Sequence, residues 1–304
     1  MKKVLLIGSC GYIGSRFYND YKDKYKITGV DLNLYYKCKD SIKDDFNNLS
    51  SQYINKFDVI ILLAGHSSVG MCDGNLLPVL ENNFINFIKL SEKINSDKKF
   101  IYASSSSVYG MSKDILAKEN EKLDIAINNY DYSKQLVDSY SNFIKSNWFS
   151  LRFGTVNGWS PNFRTDIMIN AMYNNYVKNN KISISNPKIN RPILGINDLC
   201  KAIHAIIKNK PIKGIYNLCS FNATPEYLGK KLSKILKCEL EIDKKPSFAY
   251  DFKINNNKFK KNFNFKFQDT VEKITKEIHN KFSEIKLLHH RKEYFNYVQK
   301  DYWL

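Results

Sequence analysis

The sequence predicts an α/β fold: a doubly wound parallel sheet joined to a smaller C-terminal α/β lobe. Three observations predict it. Short apolar runs alternate with longer amphipathic segments through the first half of the chain. The first run leads directly into a glycine-rich turn that opens a helix. After about residue 154 the alternation becomes irregular.

Residues 4–7 (VLLI) form a short, unbroken apolar run, as expected of a strand covered on both faces. Residues 11–21 read as a helix, and 27–31 as the second strand. Residues 59–63 and 100–103 are further apolar runs. Between them, Phe84, Phe87, Ile88 and Ser91 recur at helical spacing within 83–94. A helix over 129–144 precedes a strand over 149–153. In the second half, 160–166 is a loop and 167–178 is helical. A short run at 193–196 precedes a helix over 198–207, and 215–219 is a strand. Thr224 and Pro225 open a helix as N-cap and first helical residue, with Leu228, Leu232, Ile235 and Leu236 on its apolar face. Val271, Ile274, Ile278, Phe282 and Ile285 line a late amphipathic helix. The aromatic-rich end, with Tyr294, Phe295, Tyr297, Tyr302 and Trp303, shows no periodicity and packs locally or against a second subunit.

Composition narrows the function classes. The 304 residues are 43% hydrophobic and 25% charged, which suits a globular protein with a sizeable core. The formal charge is +17, but the excess Lys is scattered and no basic block is interleaved with aromatics. Nucleic-acid binding is therefore not expected, whereas a phosphorylated small molecule would benefit from the positive field. Lys2 and Lys3 precede an apolar run far shorter than the ~7–15 residues of a signal core. No run approaches the ~20 apolar residues of a membrane span. A soluble cytoplasmic protein, without membrane association, is expected. None of the six cysteines (10, 38, 72, 200, 219, 238) pairs at CxxC spacing, so reduced thiols and no metal site are expected.

Three motifs carry chemistry. Gly8, Gly11 and Gly14 follow the first strand and open a helix, where free N–H groups and the helix dipole favour a pyrophosphate. Asp31 ends the next strand about 20 residues on, the place for an acid that binds the adenosine ribose diol. No Arg follows Asp31 to balance a 2′-phosphate, so NAD is expected over NADP. Tyr130 and Lys134 stand at i, i+4 on one helix face, where an ammonium lowers a phenol otherwise near pKa 10. Such a tyrosine takes a proton from a hydroxyl. Taken alone, the pair could equally be an aromatic and a lysine on a surface helix. The third motif is the strand at 100–103 running into Ser104, Ser105, Ser106 and Ser107, which places hydroxyls at the carboxyl end of the sheet. By itself it could be a polar turn.

Together, in this order, the motifs resemble the extended short-chain dehydrogenase/reductase family, specifically its NAD-dependent nucleotide-sugar epimerase/dehydratase branch. The resemblance runs from Met1 to about residue 285. It includes Leu62-Leu63-Ala64-Gly65-His66, Asn83, the segment 151–158 and the segment 191–198. It implies a Rossmann-type domain over 1–154, with later elements around 190–220 returning to it. A substrate lobe over 155–288 and a tail over 289–304 complete the chain, which is expected to form a homodimer. It implies Ser105, Tyr130 and Lys134 as the catalytic trio, with Lys134 also holding the nicotinamide ribose. Tyr12, Ile13, Leu63, Ala64, Gly65 and Asn83 would contact the cofactor, and Asp45 and Phe46 would flank the adenine. Arg191 would hold the diphosphate of a nucleotide-sugar substrate.

The chain departs from the family's pattern at several points. Thr155 stands where a substrate-touching Asn is frequent, and a second diphosphate-binding Arg is not evident near 247–251. Arg164 is the candidate to replace it; an ordinary surface Arg is the competing reading. His66 reads as a loop residue, and His289-His290-Arg291 as solvated tail. A 4,6-dehydratase of the family carries Asp-Glu where Ser106 and Ser107 stand, so dehydration is disfavoured. The expected reaction is NAD-dependent epimerisation, at C4, through a transient 4-keto sugar, with a place in polysaccharide biosynthesis. A C4 reductase or dehydrogenase is the alternative. A non-catalytic NAD sensor is disfavoured because Tyr130 and Lys134 are both present.

Overall fold

The computed structural model of the chain describes residues 1–34, 38, 40–111, 116–209, 212–243 and 249–281. The first half runs β1 (Lys3–Ile7), α1 (Tyr12–Tyr21), β2 (Lys26–Asp31), β3 (Ser41–Lys43), α2 (Ser51–Ile54), β4 (Val59–Leu62), α3 (Leu76–Leu80), α4 (Asn86–Glu92), β5 (Lys99–Ser105), β6 (Leu116–Ala117), α5 (Asn129–Tyr140) and β7 (Asn147–Phe153). The second half runs β8 (Thr155–Asn157), α6 (Met168–Asn179), β9 (Lys181–Ile184), β10 (Arg191–Gly195), α7 (Ile196–Lys208), β11 (Gly214–Leu218), β12 (Phe221–Ala223), α8 (Pro225–Leu236), β13 (Glu239–Ile242), β14 (Lys253–Ile254), α9 (Asn257–Phe263) and α10 (Val271–Asn280).

Seven parallel strands form the main sheet in the order β11-β7-β5-β4-β1-β2-β3. Its apolar runs split by strand periodicity. Val4, Leu6, Val59 and Ile61 face one core with Phe17 of α1 and Leu199, Ile203 and Ile206 of α7. Leu5, Ile7, Ile60 and Leu62 face the other core with Phe87 of α4 and Val137 of α5. Helices on both faces are what unbroken apolar strands require. The second-half strand β11 pairs with β7, so the chain returns to the first sheet after leaving it.

A separate core lies in the second half, where α6, α8 and α10 contribute Ile169, Met172, Leu228, Leu232, Ile274 and Ile278, whereas α9 adds Phe259 and Phe263 to the first core and β6 and β14 pair beside a small cluster with Val108 and Phe252. A short sheet of β12, β10 and β8 joins this lobe to the carboxyl end of β7. Thr224 caps α8 as the sequence predicts, accepting from the Tyr227 N–H at 3.2 Å.

Several boundaries differ from the sequence reading. The segment predicted as a helix over 83–94 begins at Leu76 and contains a π-helical turn over Glu81–Ile85. Side-chain periodicity does not reveal one extra residue per turn. The helix predicted to reach residue 144 stops at Tyr140 and tightens into a 3₁₀ turn over Ser141–Phe143. Phe282, Ile285, the segment 289–304 and its aromatic cluster lie outside the described residues. The expectation of uniformly reduced thiols is corrected: Cys10 and Cys38 are paired as a disulfide, with Cα atoms 5.8 Å apart. They are 28 residues apart in sequence, so only the folding of the glycine turn against the segment after β2 brings them together. Among the described residues no helix is long and apolar enough to cross a membrane, and no cluster of side chains could hold a metal.

Candidate active site

The carboxyl ends of β1, β2, β4 and β5 gather the motif residues, as parallel sheets do with their ligands. Gly8 leaves β1 with φ +86°, and a Cβ there would lie 2.5 Å from the Ala64 N. A Cβ on Gly14 would collide with the Gly8 carbonyl. These two positions let α1 start hard against the sheet. Gly11 caps α1 without any side-chain hydrogen bond, so the helix presents unsatisfied N–H groups at Tyr12 and Ile13. Asp31 braces this turn: its carboxylate accepts from the Cys10 and Asn33 N–H groups, each at 2.9 Å. Asp45 lies just past β3 and caps the 3₁₀ turn of Phe46–Asn48, and the Asp44 N–H bonds to the Asp31 carbonyl at 3.2 Å.

The π-helical turn points two amides at one peptide. Asn82 and Asn83 both accept from the His66 N–H, at 3.1 and 2.8 Å. Asn83 Nδ2 returns to the His66 carbonyl at 3.2 Å and reaches Ser133 Oγ at 3.1 Å. The loop after β4, with Leu63, Ala64 and Gly65, is thereby fixed beside the helix that carries Tyr130. A cavity of about 10 Å³ there is lined by Phe46, Ala64, Asn83, Tyr102 and Lys134. The glycine turn, the open helix end and this loop fit a dinucleotide.

Ser105 ends β5 and caps the 3₁₀ turn of Ser106–Tyr109, accepting from the Ser107 N–H at 3.2 Å. Its hydroxyl also bonds to Ser107 Oγ at 2.8 Å. Tyr130 lies in the first turn of α5. Burial pushes its phenol up to about 12, with Ser105 and Arg164 opposing. Lys134 Nζ sits 5.8 Å from the Tyr130 ring and donates to the Ala103 carbonyl at 3.2 Å. Burial also lowers Lys134. Loss of water around the phenol outweighs the Ser105 hydrogen bond and the Arg164 charge that oppose it. His66 is lowered by burial and by Lys134, and its Nδ1 is buried without a hydrogen-bond partner among the described residues.

Arg191 opens β10, and Nη2 lies 3.4 Å from Thr155 Oγ1. Its guanidinium stacks 5.8 Å from the Tyr250 ring, and its Nε is buried without a hydrogen-bond partner among the described residues. No ion pair with Arg191 occurs among the described residues, and burial lowers its pKa. Arg164 differs, because Asp166 already holds it through two bonds at 3.0 and 2.6 Å. It also reaches Ser67 Oγ at 3.3 Å, so it bridges its loop to the loop after β4.

Beneath the trio runs a buried network that the sequence reading did not single out. Asp138 on α5 accepts from Ser150 Oγ at 2.6 Å and from Arg152 Nε at 2.7 Å. Arg152 Nη1 reaches the Tyr109 hydroxyl at 2.7 Å, which also meets Asn217. The lobe is tied to α1 through Arg16, which bonds Asp20, Glu277 and the Trp159 carbonyl. Asp131, between Tyr130 and Lys134 on α5, is a further buried carboxyl that the sequence reading did not single out. Its only signal was a charged residue on a helix that the fold buries.

A family model described as the NAD dependent epimerase/dehydratase family matches residues 4–219. An ADP-L-glycero-D-manno-heptose-6-epimerase from Fusobacterium nucleatum is 25% identical over 252 residues, 71% of this chain and 74% of that protein. Among solved structures, a UDP-N-acetylglucosamine 4-epimerase from Methanobrevibacter ruminantium M1 superposes with a TM-score of 0.81 at 20% identity. That match covers 93% of this chain and 99% of that one. A dTDP-glucose 4,6-dehydratase from Bacillus anthracis, in complex with NAD, gives a TM-score of 0.78 at 18% identity, over 95% and 100%. At these identities the two structures speak for the fold.

Proposed function

The chain belongs to the NAD dependent epimerase/dehydratase family, and from that premise we propose that it is a nucleotide-sugar C4 epimerase. The observation that carries this reading is the convergence of Ser105, Tyr130 and Lys134 at the end of β5, with the uncompensated Arg191 nearby. Gly8, Gly11 and Gly14 with Tyr12 and Ile13 would seat the pyrophosphate of NAD, and Asp31 its adenosine ribose. Asp45 and Phe46 would flank the adenine. Leu63, Ala64 and Gly65, held by Asn83, would line the nicotinamide half. NAD, when bound, takes up and returns the hydride. Arg191 and Thr155 would anchor the substrate diphosphate and sugar, with Arg164 closing the loop over them.

Tyr130, once ionised, would act as the base that receives the proton of the C4 hydroxyl, and Ser105 would hydrogen-bond the same oxygen; burial opposes that ionisation, Ser105 and Arg164 favour it, and a bound cationic nicotinamide would favour it further. The sugar is left as a 4-keto intermediate. Dehydration would need an acid and a base beside that ketone. Ser106 and Ser107 have no useful acidity near neutral pH, and the neighbouring Asp131 is one carboxyl where two are required. Return of the hydride to the other face of the ketone is the remaining internal route.

The test supplies UDP-, GDP- and dTDP-sugars deuterated at C4 to the NAD-loaded protein with no added NADH. Epimerisation yields a product of unchanged mass with the label still at C4. A stable keto product with stoichiometric NADH would establish a dehydrogenase, and loss of water would establish a dehydratase; either overturns the proposal.

A further inference from the structure

Tyr250 touches both the arginine and the helix of the proposed site while belonging to neither. It stands shortly before β14, where the chain is pinned beside Arg191. Asp251 Oδ1 accepts from the Asn190 N–H at 2.8 Å and from Asn190 Nδ2 at 3.0 Å. The Phe252 N–H bonds to the Asn190 carbonyl at 3.0 Å. The half-buried Tyr250 ring is thereby held against the Arg191 guanidinium, whose central carbon lies 5.8 Å from the ring centroid. An aromatic face attracts a cation, and the bond from Arg191 to Thr155 Oγ1 is long at 3.4 Å. The ring and Thr155 together set where the guanidinium lies.

The hydroxyl of the same side chain meets the start of α5. It donates to Asp131 Oδ2 at 2.5 Å and accepts from Asn128 Nδ2 at 2.5 Å. Asn128 caps α5 without help from it, because Asn128 Oδ1 accepts the Asp131 N–H at 2.9 Å. The phenol bonds therefore add what the cap does not need. They tie the first turn of α5, and Tyr130 in it, to the segment that flanks Arg191. Asp131 is 1% exposed, and Ser107 also approaches its carboxyl group. Ser107 Oγ bonds to Ser105 Oγ at 2.8 Å. One buried carboxyl group thus gathers the helix of Tyr130, the turn of Ser105 and the tyrosine beside Arg191.

We propose that Tyr250 is a positioning residue with two separable roles: its ring orients the Arg191 guanidinium that receives an anionic diphosphate, and its hydroxyl, through Asp131 and Asn128, sets the first turn of α5 and with it the Tyr130 phenol. Tyr250 touches no reacting atom. It fixes the spacing between the anchor and the base, across which the sugar of a nucleotide sugar must fit. The inference rests on the nucleotide-sugar reading of this cleft, and the test separates the two. Wild-type NAD-loaded protein is first titrated calorimetrically with UDP, dTDP, GDP and ADP, and turnover is measured on C4-deuterated sugars of the nucleotide that binds. If no nucleotide binds, or no sugar turns over, the nucleotide-sugar reading falls, and this inference with it. Tyr250→Phe keeps the ring and removes the hydroxyl. It should hold the affinity for the bare nucleotide within about twofold, because the ring face is kept, while kcat falls about ten- to a hundredfold from a misplaced base. Tyr250→Leu removes the ring as well. It should weaken the bare nucleotide about three- to thirtyfold through loss of the cation–π contact, with NAD affinity unchanged in both variants. Asn128→Ser keeps a cap for α5 and removes the Nδ2 donor to the phenol, so it should lower kcat without weakening the nucleotide. Thermal melts report folding, and Asn128→Ser tests the hydroxyl's role should Tyr250→Phe not fold. A purely structural Tyr250 would lower Tm on substitution yet move neither nucleotide affinity nor kcat well below that temperature. Unchanged kcat in a folded Tyr250→Phe, or equal nucleotide affinity in Tyr250→Phe and Tyr250→Leu, would overturn the inference.

Discussion

Asp138→Ala probes the support beneath the catalytic helix. Asp138 and Arg152 are each 3% exposed at the side chain and meet at 2.7 Å. With charge centres about 4 Å apart and an effective dielectric near 20, their attraction is about 4 kcal/mol. Removing one partner leaves the Arg152 charge buried, its remaining hydrogen bonds among the described residues going to the Tyr109 hydroxyl and the Glu119 carbonyl. Breaking a buried pair in this way costs about 3–5 kcal/mol. An unfolding entropy of about 2.1 cal/mol/K per residue over 304 residues gives about 0.6 kcal/mol/K, so a loss of 4 kcal/mol lowers Tm by about 6 °C. Turnover should fall as well, because Arg152 holds Tyr109 at the end of the turn that begins at Ser105. The assay is thermal and urea unfolding of the single variants and of Asp138→Ala combined with Arg152→Met. The double variant removes the stranded charge and should recover at least half of the loss. A Tm loss under about 2 °C for Asp138→Ala, or a double variant as unstable as the sum of the singles, would refute the reasoning.

Other outcomes follow from the same geometry. Burial, and next the Asp198 carboxylate, push Asp269 from 3.8 up to about 6. The folded state then holds that proton more tightly than the unfolded chain, so this stability is present at low pH and is lost as pH rises from about 4 to about 6. Asp269→Asn should therefore gain about 1.5 kcal/mol on the wild type between pH 5 and pH 8; urea titrations showing a pH-independent difference would contradict this. Tyr130→Phe should fold and bind NAD normally while turnover falls roughly 10²–10⁴-fold, and near-normal rates would displace Tyr130 from the reaction. Gly14→Ala places a methyl against the Gly8 backbone, which should cost about 1–3 kcal/mol and weaken NAD binding; an unchanged calorimetric affinity would show that the close approach of α1 is unnecessary.

The sequence by itself determined the parallel sheet and the glycine turn with Asp31 after it, and it picked out the tyrosine, lysine and serine that the fold gathers at the end of β5. Each of those signals is local. A strand covered on both faces must be apolar throughout. A turn against a neighbouring backbone must lack a Cβ. An i, i+4 pair on a helix shares a face wherever the helix lies. The tertiary structure alone decided the rest. It placed Asp131 under Tyr250, 119 positions later in the chain. It paired Asp138 with Arg152, joined Cys10 to Cys38, engaged Arg164 with Asp166 and left Arg191 without an ion pair among the described residues. The physical reason is common to all of these. A charge or phenol in sequence carries no record of how much water folding takes from it, or of which distant side chain will face it. Those two quantities set its protonation and its partners.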